Sequence, residues 1–216
     1  MAVTRERISE VAIRRLSPIL FLTAFLSAHA DPIAAQVSLP WTDDFSAPQL
    51  STGWAIDVAP GNRVEVKDGA LAITAAANTF AHIERPLGRD CVAATARLKS
   101  APAVTWTSSL FLYWNTGNWC QMGVIDRNGG CFYVTQMVAG AYEEHDLDPS
   151  AWQEWQWVRI ELGEDCVRYL ASKDSERWEP LLVTRRSAEF SGEPALLIVG
   201  KGYSRGEAPY AATDLD

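Results

Sequence analysis

From residue 41 onward, apolar positions recur at a spacing of two, in short runs broken by Gly, Pro, Asn and Asp. That is the pattern of β-strands. It predicts eleven of them: 64–67, 70–75, 80–85, 91–99, 105–114, 119–126, 131–138, 155–162, 166–172, 178–184 and 195–201. Turn chemistry lies between them, at Asp68-Gly69, Pro86-Leu87-Gly88, Asn115-Thr116-Gly117-Asn118, Asn128-Gly129, Gly163-Glu164-Asp165 and Ser191-Gly192-Glu193-Pro194. Strands without interleaved helices predict an all-β chain, a two-sheet antiparallel β-sandwich or jelly roll. Only residues 143–155 hold the makings of a helical turn, with Asp148-Pro149-Ser150 as its start signal. There is no internal repeat.

The Asn128-Gly129 pair predicts a two-residue hairpin turn. That turn sets Asp126 opposite Cys131, Val124 opposite Tyr133, Met122 opposite Thr135 and Cys120 opposite Met137. Alternation then splits each strand into two faces. The more aliphatic sets are Leu110, Leu112 and Trp114; Cys120, Met122 and Val124; Phe132, Val134 and Gln136; and Ala81 with Ile83. These are expected to face the core. The opposite sets place Tyr113, Trp119, Gln121, Tyr133, His82 and Glu84 on one outward sheet face. Flat rings beside hydrogen-bonding groups suit a sugar, the rings covering its C–H face and the polar groups meeting its hydroxyls. The same set also suits aromatics that fill space beneath a covering loop, and both readings stay open.

The N-terminus follows a different pattern. Arg5, Arg7, Arg14 and Arg15 precede an apolar run from Leu16 to Leu26, which ends at Ala28-His29-Ala30. The run is shorter than the about 20 residues that span a bilayer. A charged start, a short apolar stretch and a small-x-small site predict a secretory signal peptide over residues 1–30. The expected location is secreted or periplasmic, with no stable membrane span after cleavage. Residues 31–40 then read as a linker before a folded part, 41–216.

Composition narrows the partners. The chain has 216 residues, 48% of them hydrophobic, with nine Trp, which supplies a core and excludes disorder. The net charge is −8. Removing the four arginines and two glutamates of residues 1–30 from the 19 basic and 27 acidic residues leaves 15 and 25, a net charge of −10. Such a domain has no basic face for nucleic acid and no attraction to an anionic membrane.

Four cysteines remain after cleavage: Cys91, Cys120, Cys131 and Cys166. An even number in an oxidising compartment permits two disulfides, and no C-x-x-C pattern suggests zinc. Cys91 and Cys166 share the context Asp-Cys-Val at predicted strand starts and are the preferred pair. Four buried free thiols are the alternative.

Several stretches resemble the concanavalin A-like lectin/glucanase superfamily, including laminin G-like jelly rolls of secreted bacterial proteins. They are Asp43-Asp44-Phe45 with Gly53-Trp54, residues 64–71 (VEVKDGAL), Trp157-Val158-Arg159-Ile160, and residues 172–178 (SKDSERW), where Ser175 stands at a usual glycine. The resemblance covers most of residues 41–200 and implies a jelly roll. Its last strand would return to pair with the first, yet residues 202–216 are polar and show no strand pattern. A chain lacking its closing strand is therefore expected. The resemblance also brings calcium into view, since jelly-roll lectins bind it through loop carboxylates; Asp43, Asp44, Asp214 and Asp216 are the candidates, with ordinary surface acids as the alternative.

Catalytic chemistry is sparse. Glycosidases need paired carboxylates about 5–5.5 Å or about 6.5–9.5 Å apart. The E-x-D-x-x-E strand that carries them in the glucanases this chain resembles is absent. The remaining candidates are Glu84 with His82, and the run Glu143-Glu144-His145-Asp146-Leu147-Asp148, read as a loop, in which Glu144 and His145 stand out. No H-E-x-x-H or phosphate-loop motif occurs. The leading expectation is a secreted, lectin-like carbohydrate-binding jelly roll, non-catalytic by itself. A glycoside hydrolase or polysaccharide lyase on the same fold is the first alternative. An adhesion or structural module of a longer secreted protein is the second.

Overall fold

The computed structural model describes residues 3–14, 41–76, 79–88, 90–99, 108–125, 131–147 and 155–201. They form fifteen strands and one 3-10 turn, Ala188–Phe190. The strands are β1 (Val3–Arg14), β2 (Trp41–Asp43), β3 (Ala55–Val58), β4 (Arg63–Lys67), β5 (Ala70–Ala76), β6 (Ala81–Pro86), β7 (Ala93–Lys99), β8 (Ser109–Asn115), β9 (Asn118–Ile125), β10 (Cys131–Val138), β11 (Ala141–Asp146), β12 (Gln156–Leu162), β13 (Cys166–Ser172), β14 (Glu179–Arg185) and β15 (Leu196–Lys201). All pairings are antiparallel. One sheet runs β14-β13-β12-β7-β1-β5-β4, with β2 also on β1; the other runs β11-β10-β9-β8-β15-β6-β3. The chain is an all-β sandwich, as the strand pattern predicts. Among the described residues no helix is long and apolar enough to cross a membrane.

The two sheets bury one shared core. Leu71, Ile73, Leu98, Val158, Ile160 and Tyr169 enter it from the first sheet, and Ile83, Leu110, Leu112, Met122, Val134 and Val199 from the second. Each comes from an alternating strand, so period-two patterning is what builds both walls. Trp114 packs against this core and stacks on Phe190, with ring centroids 4.7 Å apart.

The motif Asp43-Asp44-Phe45…Gly53-Trp54 fastens the start of the sandwich. Asp43 Oδ1 accepts from the Phe45 backbone N–H at 3.0 Å, and Oδ2 from Trp54 Nε1 at 3.0 Å and from the Ser51 hydroxyl. The Arg85 guanidinium lies 4.1 Å from the Trp41 ring centroid and donates to the Thr52 carbonyl at 3.2 Å. A Cβ at Gly53 would sit 3.1 Å from Arg85 Cζ, at φ +102°, so glycine is required there.

Three readings of the sequence need correction. First, β9 and β10 are one residue out of the predicted register: Cys131 pairs with Ile125, Tyr133 with Gly123 and Thr135 with Gln121. Directly opposed residues in an antiparallel pair share a face, so pairing Val124 with Tyr133 would have mixed core and outward side chains. The observed register aligns Val124 with Phe132 and Met122 with Val134, all core residues. Second, Glu143–Asp146 is no loop but most of β11, an edge strand. Third, the four thiols are free. Cys91 lies in the core, whereas Cys166 lies beside core-facing Val167, on the opposite face of β13, so the two cannot meet. Residues 3–14, within the segment expected to be a signal peptide, form β1 between β5 and β7. The apolar run 16–26, the Ala28–Ala30 site, the linker 31–40, Asp126, the Asn128-Gly129 turn, the 148–150 start signal and residues 202–216 lie outside the described residues.

Candidate ligand-binding face

The seven-stranded sheet presents a second face, away from the core. Its register assembles three rows across neighbouring strands. One row carries Tyr142, Met137, Trp119, Tyr113 and Leu196. The next carries Glu144, Thr135, Gln121, Phe111, Ile198 and Glu84. The third carries Asp146, Tyr133, Gly123, Ser109, Gly200, His82 and Asp57. All six predicted ligand residues, Tyr113, Trp119, Gln121, Tyr133, His82 and Glu84, therefore share this face.

Its middle is filled. Trp119 is 2% exposed, Gln121 1% and Tyr133 1%. Gln121 Nε2 donates to Ser109 Oγ at 2.8 Å and to the Tyr133 hydroxyl, and its Oε1 accepts from Thr135 Oγ1 at 2.9 Å. Ser109 Oγ and the Tyr133 hydroxyl are 2.8 Å apart. Four buried polar side chains thus satisfy one another, which fixes their rotamers. Gly123 makes room for this arrangement: a Cβ there would lie 2.9 Å from Tyr133 Cε1 and 2.5 Å from the Ser108 carbonyl oxygen.

The margins are open. On the β11 side, Tyr142 is 37% exposed, and its hydroxyl donates to Glu144 Oε2 at 2.8 Å. Its ring lies 6.2 Å from that of Trp119, which packs in turn on Phe111 at 5.9 Å. An exposed ring is thereby continuous with buried ones. On the β3 side, His82 Nε2 lies 3.5 Å from Asp57 Oδ2. His82 is fully buried, while the Asp57 side chain is 36% exposed.

The catalytic candidates separate. Glu144 faces the same way as Thr135, but His145 pairs with Val134 and points to the core side of β11. Glu84 and Glu144 stand five strand spacings apart, about 24 Å at about 4.8 Å each, beyond either glycosidase separation. The carboxylate that does neighbour Glu84 is Asp57, on the diagonal of the β3–β6 pair, about 7–8 Å away at the backbone. Sequence reading missed Asp57 because Ala55–Val58 is a four-residue edge strand with no alternating run. It missed Ser109 and Thr135 as well, although both were on the outward set by alternation.

Of the calcium candidates, Asp43 spends both oxygens on Phe45, Ser51 and Trp54, and Asp44 accepts from the Ser46 backbone N–H at 2.9 Å. Asp44 is held below the usual carboxylate range by those Ser46 hydrogen bonds. Asp214 and Asp216 lie outside the described residues. Among the described residues no group of three or more His, Cys, Asp or Glu could hold a metal ion.

No protein-family profile matches the sequence, and no curated protein matches it. Solved structures do match in fold. The GH43 protein BlXynB from Bacillus licheniformis is 12% identical, with a TM-score of 0.54 over 77% of this chain and 36% of its own. Its K247S mutant gives 14% identity and 0.51 over 74% and 34%. A GH43_12 protein retrieved from a capybara gut metagenome gives 11% and 0.53 over 74% and 34%. The chain spans about a third of the length of these proteins. At such identities the likeness is one of fold.

Proposed function

We propose that this chain is an exported, lectin-like carbohydrate-binding β-sandwich, non-catalytic by itself, that meets its ligand on the outward face of the seven-stranded sheet. The observation that carries the reading is the continuity of exposed Tyr142 and half-buried Glu144 with the packed Trp119, Tyr113 and Gln121 behind them. A ring backed by other rings is rigid, so little entropy is lost when a sugar stacks on it. The sandwich is also a fold that GH43-type chains carry over about a third of their length.

The test is co-sedimentation with insoluble polysaccharides and titration with their soluble oligomers. Tyr142→Ala is expected to weaken binding at least tenfold with an unchanged melting midpoint, because Tyr142 lies outside the core. Undiminished binding by Tyr142→Ala would remove this face as the site. Failure of the unaltered chain to bind any glycan would remove the function.

One observation favours a second reading, a hydrolase or lyase. Asp57 and Glu84 are neighbouring carboxylates at one sheet margin, and the His82 imidazole lies beside Asp57. That reading expects reducing sugar or unsaturated product to be released from a polysaccharide, and Glu84→Gln to stop it. No product across a broad panel would exclude it.

A further inference from the structure

We propose that a separate cleft, where the margins of the two sheets part, is a binding site for a single neutral sugar ring. The cleft has a volume of about 420 Å³ and lies between Gln136 and Glu143 on β10 and β11 and Thr184, Arg185 and Ser187 on and after β14. That volume falls within the range of small-molecule sites. It lies on the core side of the seven-stranded sheet, not on the outward face described above. The ligand class rests on the carbohydrate reading; the site rests on the geometry that follows.

Gln136 occupies a position where β10 otherwise turns Phe132 and Val134 into the core, and it is 3% exposed. A buried amide there needs partners. Its Nε2 uses both hydrogens, one to the Tyr169 hydroxyl and one to Thr184 Oγ1, each at 2.7 Å. Tyr169 reaches across the core from the other sheet, and its hydroxyl also meets the Cys120 thiol. These contacts fix the amide orientation and leave Oε1 an acceptor that no described residue fills. A polar chain through an apolar core costs stability, and this one ends at the floor of a cleft.

The walls complement it. Thr184 accepts from Gln136 and its hydroxyl also bonds that of Tyr169, which fixes it in the wall. Ser187 accepts from the Glu189 backbone N–H at 3.2 Å and keeps its own proton to donate. Arg186 is taken out of play by the carbonyls of Gly163, Phe190 and Gly192, which lock the wall in place. Arg185 and Glu143 bring one charge of each sign to the rim, so neither an acidic nor a basic ligand is selected. Fixed donors and acceptors side by side match vicinal hydroxyls, each of which both donates and accepts.

The test is calorimetric or saturation-transfer titration of the full chain with glucose, galactose, mannose, xylose and arabinose, and with glucuronate. At least one neutral sugar is expected to bind, more tightly than glucuronate. Ala188→Trp fills the cleft from an exposed position and should weaken that binding at least tenfold; Thr184→Val should weaken it several-fold. Glu176→Trp, which adds the same ring to an exposed turn elsewhere, should leave it unchanged. Equal binding by the unaltered chain and Ala188→Trp overturns the site. Polysaccharide binding that survives Ala188→Trp and is lost in Tyr142→Ala overturns the cleft alone and leaves the outward face standing. No binding of any monosaccharide overturns the ligand class.

Discussion

Cys91 and Cys120 carry their thiols into the core, and burial pushes both up to about 12. A thiol with a higher pKa folded than unfolded is neutral in both states below about 9, so its contribution is complete there. Above that, the unfolded chain ionises first and stability falls until the folded thiol titrates near 12. The slope is about 1.4 kcal/mol per pH unit for each thiol. Urea unfolding between pH 8 and pH 11 should show this decline, and Cys120→Ala should make it shallower. A curve flat in this range would contradict it. Thiol counting is an independent check. Half-exposed Cys166 should react with an aromatic disulfide reagent in the native protein, and Cys91, Cys120 and Cys131 only after unfolding. A count of two in denaturant would show one disulfide and contradict the four free thiols.

Strands that alternate an aliphatic core set with a second, more polar or aromatic set announce themselves, and all eleven predicted runs have a counterpart among β4 to β10 and β12 to β15. What stayed illegible is the edge. β3 (AIDV) and β11 (AYEEHD) end the seven-stranded sheet, and an edge strand meets too few neighbours to need an apolar period. Asp57, Glu144 and the cleft wall all sit on these two strands or beside them, so much of the candidate chemistry was hidden with them. The face itself was legible, because alternation survives a register slip within each strand. The slip came from trusting Asn128-Gly129 over the core pairing of Val124 with Phe132. Gly200 shows a constraint no pattern reveals. At φ +145° it brings β15 so close to β6 that a Cβ would lie 2.6 Å from the Ala81 carbonyl oxygen and 2.6 Å from His82 Cα. Both are backbone, which cannot swing away. Gly200→Ala is expected to cost about 3 kcal/mol by the usual penalty for overpacking, read as a lowered urea midpoint with an unchanged slope. Wild-type stability would mean the two strands can separate without loss.

The whole sandwich depends on a strand from its far N-terminus. β1 pairs with β5 on one side and β7 on the other, antiparallel to both, so β5 and β7 run parallel to each other with one strand between them. Without β1 they stand about 10 Å apart, two strand spacings, and cannot hydrogen-bond directly. The residues that fill this place, 3–14, are the ones whose arginines read as the start of a leader. The proposed export and completion of the sheet would therefore draw on the same segment: removal of residues 1–30 would turn two interior strands into edges. Open edges recruit other strands, including those of a second copy. A chain beginning at Asp31 is thus expected to run as a larger species than the full chain in size-exclusion chromatography with light scattering. Its amides in β5 and β7 should exchange faster while those of β8 and β9 keep their protection. A monomer with the full chain's melting midpoint and unchanged exchange in β5 and β7 would show that these strands hold together without β1.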